Sequence, residues 1–126
     1  MKTVDDILES KDCVLWTIAP DQTVQTAILL MAEKNVGALP VLEAGQLVGI
    51  FSERDYTRKI LPEGRDPDTT LVREIMTMSS IFVRPEQSIE ECMYMMTFGQ
   101  IRHLPVMIAD EVIGIISIGD IVKALM

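Results

Sequence analysis

Two short stretches pair a hydroxyl with a carboxylate three residues later, Ser52 with Asp55 and Ser117 with Asp120. Each follows an apolar, β-rich run and opens a helical pattern, so backbone N–H groups, a hydroxyl and a carboxylate converge where a strand gives way to a helix. A carboxylate so placed can accept hydrogen bonds from both cis hydroxyls of a ribose. The same spacing also describes a capping box, in which serine and acid satisfy the free N–H groups of the helix start. The residues alone leave both readings open. Cations that would meet a phosphate are unevenly distributed. Arg102-His103 precedes Leu104-Pro105-Val106, whereas Gly37-Ala38 precedes Leu39-Pro40-Val41. Arg102 offers a bidentate fork, and His103, the only histidine, can donate one bond and gain charge near neutral pH. Arg54 and Arg58, behind Ser52, are further candidates, although an arginine in an acidic chain also pairs with surface carboxylates. Gly119 removes a side chain beside Asp120, which admits close approach of a phosphate or answers a backbone constraint.

Catalytic and metal chemistries find less support. Cys13 and Cys92 share no CxxC spacing and have no histidine cluster beside them, so each reads as a buried free thiol. No carboxylate pair with a base and no nucleophile with an orienting partner stands out, and the expectation is a protein that is not an enzyme. Nineteen acidic against eleven basic residues, a net charge of -8, disfavour nucleic acid and anionic membranes as partners. Any anion site must be local. The start, Met1 to Asp6, has no apolar run behind Lys2, and Ala27 to Ala32 falls far short of the roughly 20 residues of a membrane helix. A cytoplasmic location is expected. With 48% hydrophobic and 24% charged residues, the 126-residue chain has the composition of a folded domain.

The elements that must position these residues occur twice. An offset of 65 residues aligns Pro20 with Pro85, Leu39-Pro40-Val41 with Leu104-Pro105-Val106, Gly49-Ile50 with Gly114-Ile115, Ser52 with Ser117 and Asp55 with Asp120. Upstream the offset becomes 68, pairing Val4 with Val72 and Ile7 with Ile75, so the first copy carries three extra residues between Leu8 and Val14. The chain is a tandem duplication, and copies of about 60 residues, each marginal alone, are expected to share a core. The first copy predicts a strand at Val14 to Ile18, a helix from Pro20-Asp21 to Gly37, strands at Leu39 to Leu42 and Gln46 to Ser52, and a helix from Glu53 to Leu61. The second predicts the same β-α-β-β-α order at Ile81 to Val83, Ile89 to Thr97, Leu104 to Ile108, Val112 to Ile116 and Ile118 to Met126. Residues 1–61 and 72–126 are the repeats, and 62–71, rich in proline and acid, are the linker.

The first helix of each copy is apolar on more than one face. Val24, Ala27, Ile28 and Met31 form one stripe with Leu29 and Leu30 outside it, and Ile89, Cys92, Met93 and Met96 form another with Tyr94 and Met95 outside. Such helices have more than one partner, and a homodimer through Leu29, Leu30, Tyr94 and Met95 is expected. The nine methionines read as core or adaptable interface.

Two copies of strand, helix, Leu-Pro-Val strand, hairpin, Gly-Ile-x-Ser-x-x-Asp and helix resemble a tandem pair of CBS domains, a Bateman module. Gly49-Ile50-Phe51-Ser52-Glu53-Arg54-Asp55-Tyr56 and Ser117-Ile118-Gly119-Asp120 are similar to the small stand-alone CBS-pair proteins. The resemblance spans nearly the whole chain and implies an α/β fold of two β-α-β-β-α repeats packed with pseudo-two-fold symmetry. It also implies a regulatory module that requires no cofactor and binds AMP, ADP, ATP, NAD(H) or S-adenosylmethionine in clefts between the repeats, sensing energy or redox state. In that reading Asp120 or Asp55 takes the ribose with Ser117 or Ser52. The Asp120 cleft is completed by Cys13-Val14 and Val36-Gly37 with Ile115 on its floor, Ile50 being the counterpart of Ile115, and Arg102, His103 and Arg54 meet the phosphates. Val36 and Ile115 read equally well as plain core. The alternative is an interaction module with degenerate pockets that docks a regulated protein partner through its apolar helices.

Overall fold

The computed structural model describes residues 2–11, 14–78 and 81–126. The chain runs α1 (Val4–Ser10), α2 (Val24–Lys34), β1 (Ala38–Glu43), β2 (Gln46–Ser52), α3 (Glu53–Lys59), α4 (Val72–Ile75), α5 (Ile89–Gly99), β3 (His103–Ile108), β4 (Glu111–Ser117) and α6 (Ile118–Leu125). It forms two compact units. One holds residues 16–80 and the other holds residues 1–15 with 81–126. The repeat in sequence and the unit in space are therefore offset: α1, at the head of the first repeat, belongs to the unit of the second. The four-residue α4 lies in the unit of residues 16–80. These two helices explain why Val4 and Ile7 align with Val72 and Ile75, since all four are core residues.

In each unit an antiparallel hairpin supplies the sheet, β1 with β2 and β3 with β4. Ala44 and Gly45 turn the first hairpin with φ of 51° and 79°, a left-handed pair that suits the strand twist. Both hairpins carry a one-residue register shift, after Val41 and after Val106. The strands expected at Val14 to Ile18 and Ile81 to Val83 shrink to single parallel bridges, Ile18 to Val41 and Val83 to Val106. Proline explains both. Ile18 donates to the Pro40 carbonyl at 3.1 Å and accepts from Leu42 at 2.9 Å. Extending that ladder one step back would need an N–H on Pro40, and one step forward an N–H on Pro20, and neither exists. Pro105 and Pro85 block the bridge at Val83 in the same way.

The helices follow their side-chain signals. Thr3, Thr23, Ser52, Ser88 and Ser117 cap α1, α2, α3, α5 and α6, each accepting from the backbone N–H three residues on. Asn35 and Gln100 end α2 and α5 in the left-handed conformation. In the unit of residues 16–80, Val24, Ala27 and Met31 of α2 pack with Leu39, Val41 and Phe51 of the hairpin and with Val72 and Ile75. In the other unit Ile89, Cys92 and Met96 of α5 pack with Leu104, Val106, Ile116, Val4 and Ile7. Leu30 and Met95, expected to face a partner, instead lie half-buried against these cores. Leu30 sits three residues after Ala27 and beside Met31, so the apolar stripe is wide enough to include it. Leu29 and Tyr94 are 58% and 65% exposed, and so is Phe98 at 71%, its ring 4.3 Å from that of Tyr94. Cys92 is buried, and that burial, with the Glu91 charge nearby, pushes its thiol up to about 11, so it is inert.

The leading helices approach the hairpins at equivalent glycines. A Cβ on Gly49 would lie 2.8 Å from the Thr77 carbonyl oxygen and 3.0 Å from the Met76 sulfur, while one on Gly114 would lie 2.9 Å from a methyl of Leu8. Backbone cannot yield as a leucine tip can. Gly49→Ala is therefore expected to destabilise the protein by about 1–3 kcal/mol in denaturant unfolding, and Gly114→Ala by clearly less. Equal losses would show that the Thr77 backbone does not set the cost.

Candidate functional site

The Ser-x-x-Asp motifs stand where each hairpin's second strand runs into a helix. Ser117 ends β4 and caps α6. Its Oγ accepts from the Asp120 amide at 3.1 Å, and Asp120 Oδ2 accepts from the Ser117 amide at 2.8 Å. Ser52 and Asp55 repeat the box at the head of α3, with 2.9 Å from the Ser52 amide to Asp55 Oδ2 and 3.1 Å from its hydroxyl. Both motifs are thus capping boxes, and the capping reading of the sequence is realised at both. Capping uses one carboxylate oxygen, and the fate of the other separates the repeats.

Asp55 is 7% exposed and has both oxygens engaged. Thr77 Oγ donates to Oδ1 at 2.9 Å, and Lys59 Nζ, one helical turn on, lies 3.2 Å from the same atom. Thr77 is itself held by two 2.9 Å backbone bonds with Ile50, so the outer edge of β2 is taken up at Ile50. Asp120 is more open, its side chain 20% exposed. Its Oδ2 takes Lys11 Nζ at 2.8 Å as well as the Ser117 amide, and among the described residues no donor reaches Oδ1. Lys11 also donates to the Ile115 carbonyl at 3.1 Å. Partial burial raises the Asp120 carboxyl, but the Lys11 hydrogen bond, the Ser117 amide and the ammonium charge outweigh it and hold it below the ordinary 3.8.

The remaining candidates fall into two groups. Arg102 and His103 join Asp120, Ser117 and Ile115 in one unit: the Arg102 carbonyl accepts from the Ile118 amide at 2.9 Å, and His103 lies opposite Ser117 in the β3–β4 register. The exposed Arg102 thus flanks the start of α6. Val14, 63% exposed, falls in the same compact unit. Cys13 lies outside the described residues. Val36, Gly37, Ile50, Ser52, Arg54 and Asp55 belong to the unit of residues 16–80. There the Gly37 carbonyl accepts from the Glu53 amide at 3.1 Å, Val36 packs against the core, and Arg54 and Arg58 are exposed. Gly119 has no left-handed φ, and a Cβ there would meet only Ser117 Oγ at an ordinary 3.5 Å. Neither backbone strain nor packing demands a glycine at that point. No motif marks Lys11 or Thr77, because their role comes from α1 and α4 packing beside the hairpins, whereas Lys59 stands four residues after Asp55 on the same helix, a local spacing that could have found it. Among the described residues no group of three or more His, Cys, Asp or Glu side chains is placed to hold a metal, and no helix is long and apolar enough to cross a membrane.

This architecture, two hairpin-and-helix units each with a capped Ser-x-x-Asp junction, is that of a CBS-domain pair. The chain belongs to the CBS domain family, whose model matches residues 4–62 and 72–126. It is 42% identical over 132 residues to a mitochondrial CBS domain-containing protein of Arabidopsis thaliana, covering 97% of this chain and 64% of that protein. A solved CBS-domain structure from Burkholderia ambifaria superposes with a TM-score of 0.95 at 44% identity, covering 99% of this chain and 94% of that one. A hexameric CBS-CP12 protein from bloom-forming cyanobacteria matches with a TM-score of 0.88 at 31% identity, over 97% of this chain and 71% of that one. Proteins of this family are in general regulatory and non-catalytic, and CBS domains in general bind adenosyl ligands.

The lowered Asp120 carboxyl has a consequence for stability. A group whose pKa falls on folding contributes while it is ionised, so its contribution is present above the ordinary aspartate value and is lost as pH falls through the folded one. Asp120→Ala, which removes the cap and the Lys11 partner, is expected to cost about 1 kcal/mol at neutral pH in urea unfolding. The difference from wild type should shrink in acid below the normal aspartate range. A difference independent of pH would show that the ionised cap contributes nothing.

Proposed function

We propose that the chain is a non-catalytic sensor of adenosyl ligands, AMP, ADP, ATP, NAD(H) or S-adenosylmethionine, with its principal site at Asp120. The observation that carries this reading is the acceptor capacity left at the helix start: Asp120 Oδ1 has no donor among the described residues, whereas Asp55 has both oxygens engaged. Three further features support it. Gly119 puts no side chain beside the carboxylate, Arg102 stands exposed at the same junction, and Ile115 brings an aliphatic side chain to the strand that leads there. Ribose would take Asp120 and Ser117, and phosphate would take Arg102 with His103.

Calorimetric titration with adenosine and AMP tests this assignment. Asp120→Ala is expected to weaken both ligands by about 1.5–3 kcal/mol, the worth of hydrogen bonds to a charged acceptor. Arg102→Ala should hurt AMP far more than adenosine, because the guanidinium meets only the anion. Equal affinity of wild type and Asp120→Ala for both ligands would remove the site from Asp120. If no adenosyl ligand binds the wild-type chain, the interaction-module reading takes its place.

We further propose that the sensor works as a homodimer formed through the exposed apolar residues of α2 and α5. Leu29, Tyr94 and Phe98 support this, large side chains more than half exposed on helices whose other faces are core. The hexameric assembly of the cyanobacterial relative supports self-association as a habit of the fold. Light scattering should give a particle of twice 14.1 kDa, and Tyr94→Glu or Leu29→Glu should give monomers. A 14.1 kDa wild-type particle at micromolar concentration would exclude the dimer.

A further inference from the structure

Lys11 closes α1 and donates to two groups at the start of α6 and on the strand before it, Asp120 Oδ2 at 2.8 Å and the Ile115 carbonyl at 3.1 Å. We propose that Lys11 is a positioning residue of the Asp120 site: it fills one carboxylate oxygen and fixes the rotation of the group, so that the other oxygen, Oδ1, is presented to both cis hydroxyls of a ribose. That role rests on the reading of Asp120 as the ribose acceptor.

An ionised carboxylate offers about two acceptor positions on each oxygen. At Asp55 these are taken up, the Ser52 amide and hydroxyl standing on Oδ2 and Thr77 Oγ and Lys59 Nζ on Oδ1. At Asp120 the Ser117 amide and Lys11 fill Oδ2, and Oδ1 keeps its positions with no donor among the described residues, room enough for the two cis hydroxyls of a ribose. With the Ser117 amide alone the carboxylate could still rock, because the terminal torsion of an aspartate is broad and two-fold. A second donor on the same oxygen, tied in turn to the Ile115 carbonyl, stops that rotation. Lys11 serves as a fixed point because the helix behind it is held along its length. Val4 and Asp5 donate to the Gln87 and Pro85 carbonyls at 2.9 Å each, Ile7 is buried, and Leu8 packs against the same core. The ammonium therefore stays where it is when Oδ1 is used. Lys11 falls in the stretch between Leu8 and Val14 where the first copy carries its three extra residues, whereas the ammonium at Asp55 comes from the aspartate's own helix, so only one junction has this device.

Calorimetric titration of the wild-type chain, Lys11→Met, Asp120→Ala and the double variant tests this role, with adenosine and with dideoxyadenosine, which lacks both cis hydroxyls. Lys11→Met keeps an apolar stem and removes the ammonium. It is expected to weaken adenosine about two- to five-fold, the range a part-exposed ion pair supports, and to leave dideoxyadenosine unchanged. In the Asp120→Ala protein the Lys11→Met change should cost nothing more, because the two residues act through one contact. A lysine that only supports the fold would weaken both ligands alike, with Asp120 present or absent, and that result overturns the role. Unchanged or tighter adenosine binding by Lys11→Met, with Asp120→Ala still impaired, also overturns it and leaves the Asp120 site standing. A wild-type chain that binds adenosine no more tightly than dideoxyadenosine overturns both. If Lys11→Met does not unfold cooperatively, Lys11→Gln takes its place, and the same failure there shows that Lys11 holds the fold and refutes the proposal.

Discussion

Everything of functional interest hangs on a carboxylate at the third position of a helix, folded back onto the strand end that precedes it. At Ser117 and Asp120 the box joins β4 to α6, and at Ser52 and Asp55 it joins β2 to α3. Because the aspartate side chain returns to the amide of the N-cap, its negative charge is fixed within hydrogen-bond reach of the hairpin edge. That fixed charge recruits the nearest ammonium, Lys59 in one unit and Lys11 in the other, and each lysine then spends a second proton on a backbone carbonyl, Ile75 or Ile115. Capping and binding are therefore not rival explanations of one motif. The cap places the acceptor, and what remains of its lone pairs decides whether a ligand can use it.

How far this was legible in the sequence depends on the range of the interaction. The duplication, the hairpins and the helices α2, α3, α5 and α6 are written in local periodicity and turn chemistry, and they stand within a residue or two of where those signals put them, except that α2 runs only from Val24 to Lys34, at least three residues inside its expected bounds at each end. Helices α1 and α4 were not, for seven and four residues carry too few turns for a period to show. The leading strands were misread because Val14 to Ile18 has β propensity, whereas their length is set by prolines that pair with them from elsewhere in the chain. Propensity describes a segment; the missing N–H on Pro40 belongs to its partner. The same holds for the site. Ser117, Asp120, Ser52 and Asp55 could be found by spacing, and so could Lys59, four residues after Asp55, but Lys11 and Thr77 could not, because Lys11 lies 109 residues from Asp120 and Thr77 lies 22 from Asp55.

Those distant partners make the two halves unequal in a way the aligned motifs conceal. At Asp55 the pairing is redundant: Thr77 donates to the carboxylate while its backbone closes the edge at Ile50, and Gly49 lets that backbone come close. Removing any one of these bonds leaves the others to hold the arrangement, which is the behaviour of a structural joint. At Asp120 a lysine side chain supplies the tertiary contact, and Gly114 admits only a leucine tip. Duplication followed by divergence of the pairing partners, with the Ser-x-x-Asp box unchanged, is thus enough to turn two equivalent caps into one whose carboxylate is fully engaged and one that keeps an oxygen with no donor among the described residues.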